Sequence, residues 1–281
     1  MSVNLGISSE SSTYTNLLLA HFDQEKHRFE KPATILLGEG ALAKGTVVAP
    51  QLSGGKYVDL GAITAVTAEN VAKSPNGTQM NVIGNCNNKP VLPGSVTITE
   101  KFSGKTFTDL NRKGVLKGDT ALGVIDYNTG DWCLNFETAR SVTDWAANTV
   151  YAQGAFREPT TQNGYCYEAT AGGTSHANTE PTWPTTVGET VVDGTVTWTC
   201  RHYYEVNYKH FGNAGAVDIG KLGIINEDGL DATSADVDCQ ILEAGIVNYE
   251  ELTPTIDWTD ELQVEFFKQS GFGFKLAEEV D

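Results

Sequence analysis

Five aromatic residues clustered in one stretch, Trp145, Tyr151, Tyr165, Trp183 and Trp198, are the side chains of this sequence best suited to hold a ligand. Flat apolar rings stack on the C–H faces of sugars, so these five can form a glycan-binding platform. The same rings can equally be the core of residues 143–203, the segment that carries them. In the alternating run Val196-Thr197-Trp198-Thr199-Cys200, Trp198 shares the inward face with Val196 and Cys200. Trp183 stands between Pro181 and Pro184 in a loop and is the ring best placed for exposure.

Other chemistries find less support. Asp228, Asp231, Asp236 and Asp238 cluster, but they lack the regular spacing and terminal Glu of a calcium loop, and Asp and Gly are ordinary turn residues. The five cysteines (Cys86, Cys133, Cys166, Cys200, Cys239) include no C-x-x-C, and the five histidines form no H-E-x-x-H, so no metal site is expected. Cys166 and Cys200 lie in neighbouring strand-like runs and can approach each other. No nucleophile elbow, P-loop or dinucleotide fingerprint is present. The expectation is a protein without enzymatic activity and without a cofactor.

Charge narrows the partners. With 36 Asp+Glu against 19 Lys+Arg the net charge is −17, whereas nucleic-acid binders carry basic footprints, so no nucleic acid is expected. No apolar run approaches the roughly 20 residues of a membrane-crossing helix, and the N-terminus does not read as a signal peptide. No membrane is expected either. Abundant Gly, Thr and Val and short apolar runs indicate a mainly β chain, long enough at 281 residues for two or three domains.

The elements that must position these residues follow in chain order. Residues 1–30 are polar, with Leu17-Leu18-Leu19 too short for a helix; they read either as a frayed terminus or as an arm that orders by adding a strand to a partner's sheet. Residues 31–65 hold Ile35–Leu37, a Gly38-Glu39-Gly40 turn, Leu42–Val48, a Ser53-Gly54-Gly55 turn and Tyr57-Val58. Residues 66–140 contain Val96–Thr99, Phe102 to Phe107, and a hairpin in which Ile125 and Tyr127 precede Asn128-Thr129-Gly130-Asp131 and Trp132, Leu134 and Phe136 line one face of the return strand. The aromatic module spans 141–203. After it come strand runs at Leu222–Ile225 and Cys239–Val247, then a helix with Thr259 as N-cap and Gly271 closing it. Trp258, Leu262 and Phe266 fall on one face of that helix and Val264 and Phe267 on another, and Phe272, Phe274 and Leu276 alternate as a closing strand.

Lys221–Ile225, the DATSADVD loop Asp231–Asp238, the ILEAGIV strand Ile241–Val247 and the helix ending in Gly271-Phe272-Gly273-Phe274 together resemble the head decoration proteins of lambda-like tailed phages. The G-x-L-x-x-G-T-V-V pattern of Gly40–Val48 is similar to the same family. There it nearly adjoins the segment matched by 215–225, so the resemblance implies a core split by an insertion at a loop tip. Residues 66–140 resemble small β-sandwich modules of phage structural proteins, and the aromatic module resembles phage surface modules with some likeness to chitinase carbohydrate-binding modules.

The fold implied is mainly β: a small tulip-like decoration core with a short helix (31–65 and 204–281), split by two inserted β-sandwich or Ig-like modules, with 1–30 as a capsid-binding arm. The family implies a homotrimer that binds the major capsid protein on the outer surface of the expanded virion head, after assembly in host cytoplasm where the thiols stay reduced. Tyr14, Leu17, Leu18, Phe22 and Phe29 would then make the arm contacts, and Trp258, Leu262, Phe266 and Phe267 the core or subunit contact. The alternative is a tail- or surface-associated adhesin binding host glycans through Trp183, Trp145, Tyr151 and Tyr165.

Overall fold

The computed structural model describes residues 29–71, 80–109, 111–212, 216–248, 252–253, 260–269 and 272–275. The chain begins with β1 (Phe29–Ile35), the short β2 (Ala41–Leu42), β3 (Val47–Pro50) and β4 (Tyr57–Asp59). Between β1 and β2, Gly38 and Gly40 take φ of +100° and +75°, a region that side-chain-bearing residues rarely adopt. That turn is clamped by Gly38 N–H donating to the Ala232 carbonyl at 2.7 Å and Ala232 N–H donating to that of Gly40 at 2.8 Å. β3 is buried along its whole length, as its sequence Val-Val-Ala-Pro requires, and pairs antiparallel with β4.

Next come β5 (Ile63–Val71), β6 (Asn81–Asn85), β7 (Thr97–Glu100), β8 (Lys105–Thr108), β9 (Val115–Lys117), β10 (Ala121–Ile125) and β11 (Asp131–Phe136). The β10–β11 hairpin has the register its alternation calls for: Ile125 opposite Trp132, Gly123 opposite Leu134 and Ala121 opposite Phe136, with all six buried. A compact aromatic unit follows, built from β12 (Val150–Tyr151), β13 (Phe156–Arg157), β14 (Cys166–Ala171), β15 (Gly173–Thr174), β16 (Thr190–Asp193) and β17 (Val196–Arg201). β13-β14-β17-β16 form one sheet and β12-β15 another.

The chain then returns through β18 (Tyr204–Phe211), which inserts between β5 and β7. The resulting eight-stranded sheet, β5-β18-β7-β8-β9-β10-β11-β6, is antiparallel throughout. Every strand contributes to one core: Val66, Val82, Ile98, Phe107, Leu116, Ile125, Trp132, Leu134, Phe136, Tyr204, Val206 and Tyr208 among others. The sheet is therefore a half-barrel curled around its own interior. Gly84, opposite Trp132, leaves room for the indole; a Cβ there would stand 2.2 Å from a ring carbon.

The boundaries drawn at 65/66 and 203/204 are corrected by this sheet, because β5 begins at Ile63 and β18 runs from 204 to 211 within it. The alternation of Tyr204, Val206 and Tyr208 announces a strand with a buried face. It carries no information on which sheet owns that face.

Past β18 come β19 (Gly223–Ile225), β20 (Leu230–Asp231), β21 (Val237–Asn248), the helix α1 (Glu261–Gln269) and β22 (Phe272–Lys275). β1-β4-β3-β19-β21 close into a small barrel, because β21 pairs back onto β1 from Ile35↔Val237 to Glu30↔Leu242. All five strands send side chains to one cluster, which includes Ile35, Val48, Tyr57, Ile225 and Ile241. Their other faces carry Val47, Ala49, Val58, Ile224 and Leu242, covered by Leu92 and Phe211 of the half-barrel and by Phe267 of α1. β22 extends β21 as a parallel strand.

Asp260 caps α1: its Oδ1 accepts from Leu262 N–H at 3.1 Å, satisfying one of the free donors of the first turn, while the expected cap Thr259 lies outside the described residues. The same carboxylate holds Lys209 of β18 and accepts from Gln263 at 3.1 Å. Burial alone would raise Asp260, but these bonds outweigh it and hold the carboxyl below its ordinary value. The helix thereby ties barrel to half-barrel.

Candidate functional site

The aromatic unit is organised by one buried carboxylate. Asp193, at the end of β16, accepts from Trp145 Nε1 at 2.8 Å, Trp198 Nε1 at 3.1 Å and His176 N–H at 2.7 Å. Two indoles and a loop backbone are thereby pinned to one strand end. Trp198 is fully buried, with Tyr151 edge-on at 5.0 Å and Trp183 at 5.9 Å between ring centroids. The Tyr151 hydroxyl donates to the Ala146 carbonyl and accepts from Ala146 N–H, so its polar tip is satisfied inside.

This places the four proposed glycan residues unequally. Trp145 and Tyr151 are core, at 9% and 3% exposure, and offer no ring face to a sugar. In so short a segment the apolar area of these rings is what makes a core at all. Trp183 and Tyr165 keep partial exposure, and both pack against the edge of the aromatic core. Trp183 lies on Tyr167 at 4.3 Å with its Nε1 donating to Glu180 at 2.8 Å, while Tyr165 lies on His202 at 5.2 Å.

Cys166 and Cys200 are free thiols. In the β14–β17 ladder Cys166 faces Arg201 and Tyr167 faces Cys200, so the two sulfurs project to opposite sides of the sheet, one into the half-barrel core and the other into the aromatic core. Burial pushes the Cys200 and Cys239 thiols up to about 11 and Cys86 to about 12, and Cys166 upward as well. None has the depressed value of a reactive cysteine.

The acidic loop is used internally. Asp231 accepts from Thr233 N–H at 2.9 Å, Asp236 accepts from Leu37 N–H and pairs with Lys56, and Asp238 accepts from Thr34 at 2.7 Å. These bonds fasten the loop before β21 to β1 and its flank. Among the described residues no group of three or more His, Cys, Asp or Glu is placed to hold a metal ion.

Of the proposed arm residues, Tyr14, Leu17, Leu18 and Phe22 lie outside the described residues, and Phe29 opens β1 opposite Ala244. Trp258 is also outside them. Leu262, Phe266 and Phe267 are inside, and they pack on their own chain. Phe267 is buried in the barrel's outer core, Phe266 meets Phe211 at 5.3 Å, and Leu262 joins the same cluster. Phe267 and Leu262, on different faces by helical spacing, thus share one core.

A cleft of about 570 Å³ where barrel, half-barrel and helix meet was not signalled by any motif. Arg112, Lys113, Asp126, Tyr127, Asp218 and Phe266 line it, so its cations and anions balance. The Tyr127 hydroxyl donates to the buried Asp109 and accepts from Gly114 N–H at 2.6 Å, which makes the tyrosine a brace and not an acid. Its partners come from separate turns, which sequence spacing does not link.

His202 gives the aromatic unit a pH response. Burial holds it below its ordinary 6.5, and its Nδ1 is buried without a partner among the described residues. The folded state therefore favours the neutral ring, so this contribution is complete above the ordinary value and is lost as pH falls through the depressed one. The thermal midpoint is expected to drop as pH falls below about 6.5, and His202→Phe to flatten that slope. Glu158, raised by burial, works in the opposite direction at lower pH, so the informative quantity is the difference between variant and wild type. Identical slopes would remove His202 from the account.

No protein-family model, no curated protein and no solved structure matches this chain.

Proposed function

We propose that this protein is a non-catalytic capsid decoration protein. It seats on the outer surface of an expanded phage head as a trimer and bridges neighbouring capsid subunits against internal pressure. The barrel and its helix form the base, the half-barrel and aromatic unit project from it, and the segment ahead of β1 is the arm that adds to a capsid strand edge.

The observation that supports this reading most directly is where the chain enters the fold. β1 is a strand of the closed barrel, paired with β21 from Phe29 to Ile35. An arm ahead of β1 would leave from the barrel and not from the inserted units, which supports an arm acting beside a seating surface on the barrel. The motifs that resemble decoration proteins, Gly40–Val48, Lys221–Ile225 and Ile241–Val247, also fall on or beside strands of this one barrel. The adhesin alternative is left without two of its four rings.

The test is saturable binding of the purified chain to expanded, undecorated heads of the cognate major capsid protein, beside a version lacking residues 1–28. The deletion stops at 28 because Phe29 and Glu30 pair within the barrel. Binding by the full chain with at least about a hundredfold loss on deletion, equivalent to about 3 kcal/mol, supports both decoration and the arm. Undiminished binding would move the contact to the barrel base. No binding by either form would end the decoration reading.

A further inference from the structure

The outer face of the half-barrel carries apolar side chains that its own core does not use. Val115 of β9, Val124 of β10, Cys133 of β11 and Ile83 of β6 stand opposite one another in a single row across four strands. Val124 and Ile83 are 57% and 58% exposed, and Leu122, two residues from Val124 on the same face, is 61% exposed. The next row reads Lys117, Leu122, Asn135 and Asn81, and on the other side Asp131 faces Asn85. In a chain of net charge −17, this is a sheet face with few charges and four exposed or half-exposed aliphatic groups in contact range.

Those charges have a pattern. Lys117 lies one strand to one side of Val124 and one residue pair toward Leu122, while Asp131 lies one strand to the other side and one pair the opposite way. They are thus related by inversion of position about Val124. Among the described residues neither has an ion-pair partner; Asp131 accepts only from Asn85 at 2.7 Å and Thr129 at 3.0 Å. Lys113 and Asp126, both exposed, flank the Asp131 end with opposite charges.

We infer that this face binds a second copy of the chain about a two-fold axis that runs parallel to the sheet over Val124, perpendicular to the line from Lys117 to Asp131. Face-to-face packing on that axis sets Val124 against the partner's Val124 and buries the Val115–Val124–Ile83 row. It also places each Lys117 against the partner's Asp131. A two-fold interface must be self-complementary, with each contact made twice, and charges at opposed positions about an apolar centre satisfy that requirement from one sequence. The net charge of −17 opposes self-association in general, whereas the four charges named on this face, Lys113, Lys117, Asp126 and Asp131, sum to zero. The inference is independent of the decoration reading, since it concerns a face of the inserted half-barrel and not the barrel base.

Molar mass of the full chain, measured by light scattering and sedimentation from about 1 to 100 µM, tests it in the range where small interfaces assemble. Val124→Asp is expected to halve the largest species while keeping the thermal midpoint, because the side chain is outside the core. Lys117→Glu is expected to weaken the doubling about tenfold, and Lys117→Glu with Asp131→Lys to restore it. If Val124→Asp disturbs folding, the charge pair alone decides. A mass at 100 µM equal to that of Val124→Asp, or a swap that fails to restore, overturns the inference. So does an unchanged mass with lost capsid binding, which would assign the face to another protein. A doubling built on trimers and one built on monomers differ threefold in mass, so failure of the trimer reads separately.

Discussion

Asp193→Ala is expected to unfold the aromatic unit while leaving the barrel intact. The carboxylate is 2% exposed and is the acceptor for three donors, two of them indole N–H groups directed into the core. Each buried donor left without a partner costs about 1–3 kcal/mol, so stranding the two indole N–H groups alone costs on the order of 2–6 kcal/mol, comparable with the whole stability of a small unit. The core there is only Trp145, Tyr151, Tyr167, Ala169, Val196, Trp198 and Cys200, with a few half-buried neighbours. It holds little reserve. Loss of near-ultraviolet circular dichroism from the buried tryptophans and new protease cleavage confined to 141–203 are the expected readouts. Asp193→Asn, which keeps one carbonyl acceptor, should cost less than half as much. A midpoint within about 1 °C of wild type for the alanine variant would show that the indoles do not depend on this carboxylate.

Arg140→Met is expected to destabilise the half-barrel by about 3–5 kcal/mol, the cost of stranding a buried charge. Glu100, at the end of β7, is fully buried, and its carboxylate is enclosed by Arg140 through Nε at 2.9 Å and a second guanidinium nitrogen, by the Tyr204 hydroxyl at 3.1 Å and by Ser103. The guanidinium also lies over Phe136 at 5.3 Å and Phe102 at 5.7 Å. This pair binds the segment leaving β11 to the opposite flank of the sheet. The double variant Arg140→Met with Glu100→Gln should recover most of the loss, since removing both charges abolishes the desolvation penalty that breaking the pair exposes. Denaturant titration separates the outcomes: a single-variant loss under about 1 kcal/mol would mean water reaches Glu100.

Wherever structure depends on residues a few positions apart, the sequence alone determined it. The β10–β11 hairpin, the inward Trp198, the α1 helix and the closing β22 all follow from periodicity and turn residues, because strand alternation and helical spacing are local steric facts, whereas the run Leu42–Val48 is divided between β2 and β3. The mainly β class with one short helix follows from the same signals. The capping bond that the structure shows is Asp260's, and Lys209, more than fifty residues upstream, holds that carboxylate in place.

Only the tertiary structure decided which strands pair and which side chains meet. β18 reads as well for the barrel as for the half-barrel; its hydrogen-bonded neighbours β5 and β7 lie more than a hundred residues upstream. Trp145 and Tyr151 become core and not platform because Asp193 and Trp198 are folded onto them. Cys166 and Cys200 are kept apart by a single residue of register in the β14–β17 ladder. The Val115–Val124–Cys133–Ile83 row exists only after four strands from residues 81 to 136 align. In each case the deciding energy is long-range, a paired edge or a buried acceptor. It is set by closure of the whole sheet, which no window of sequence contains.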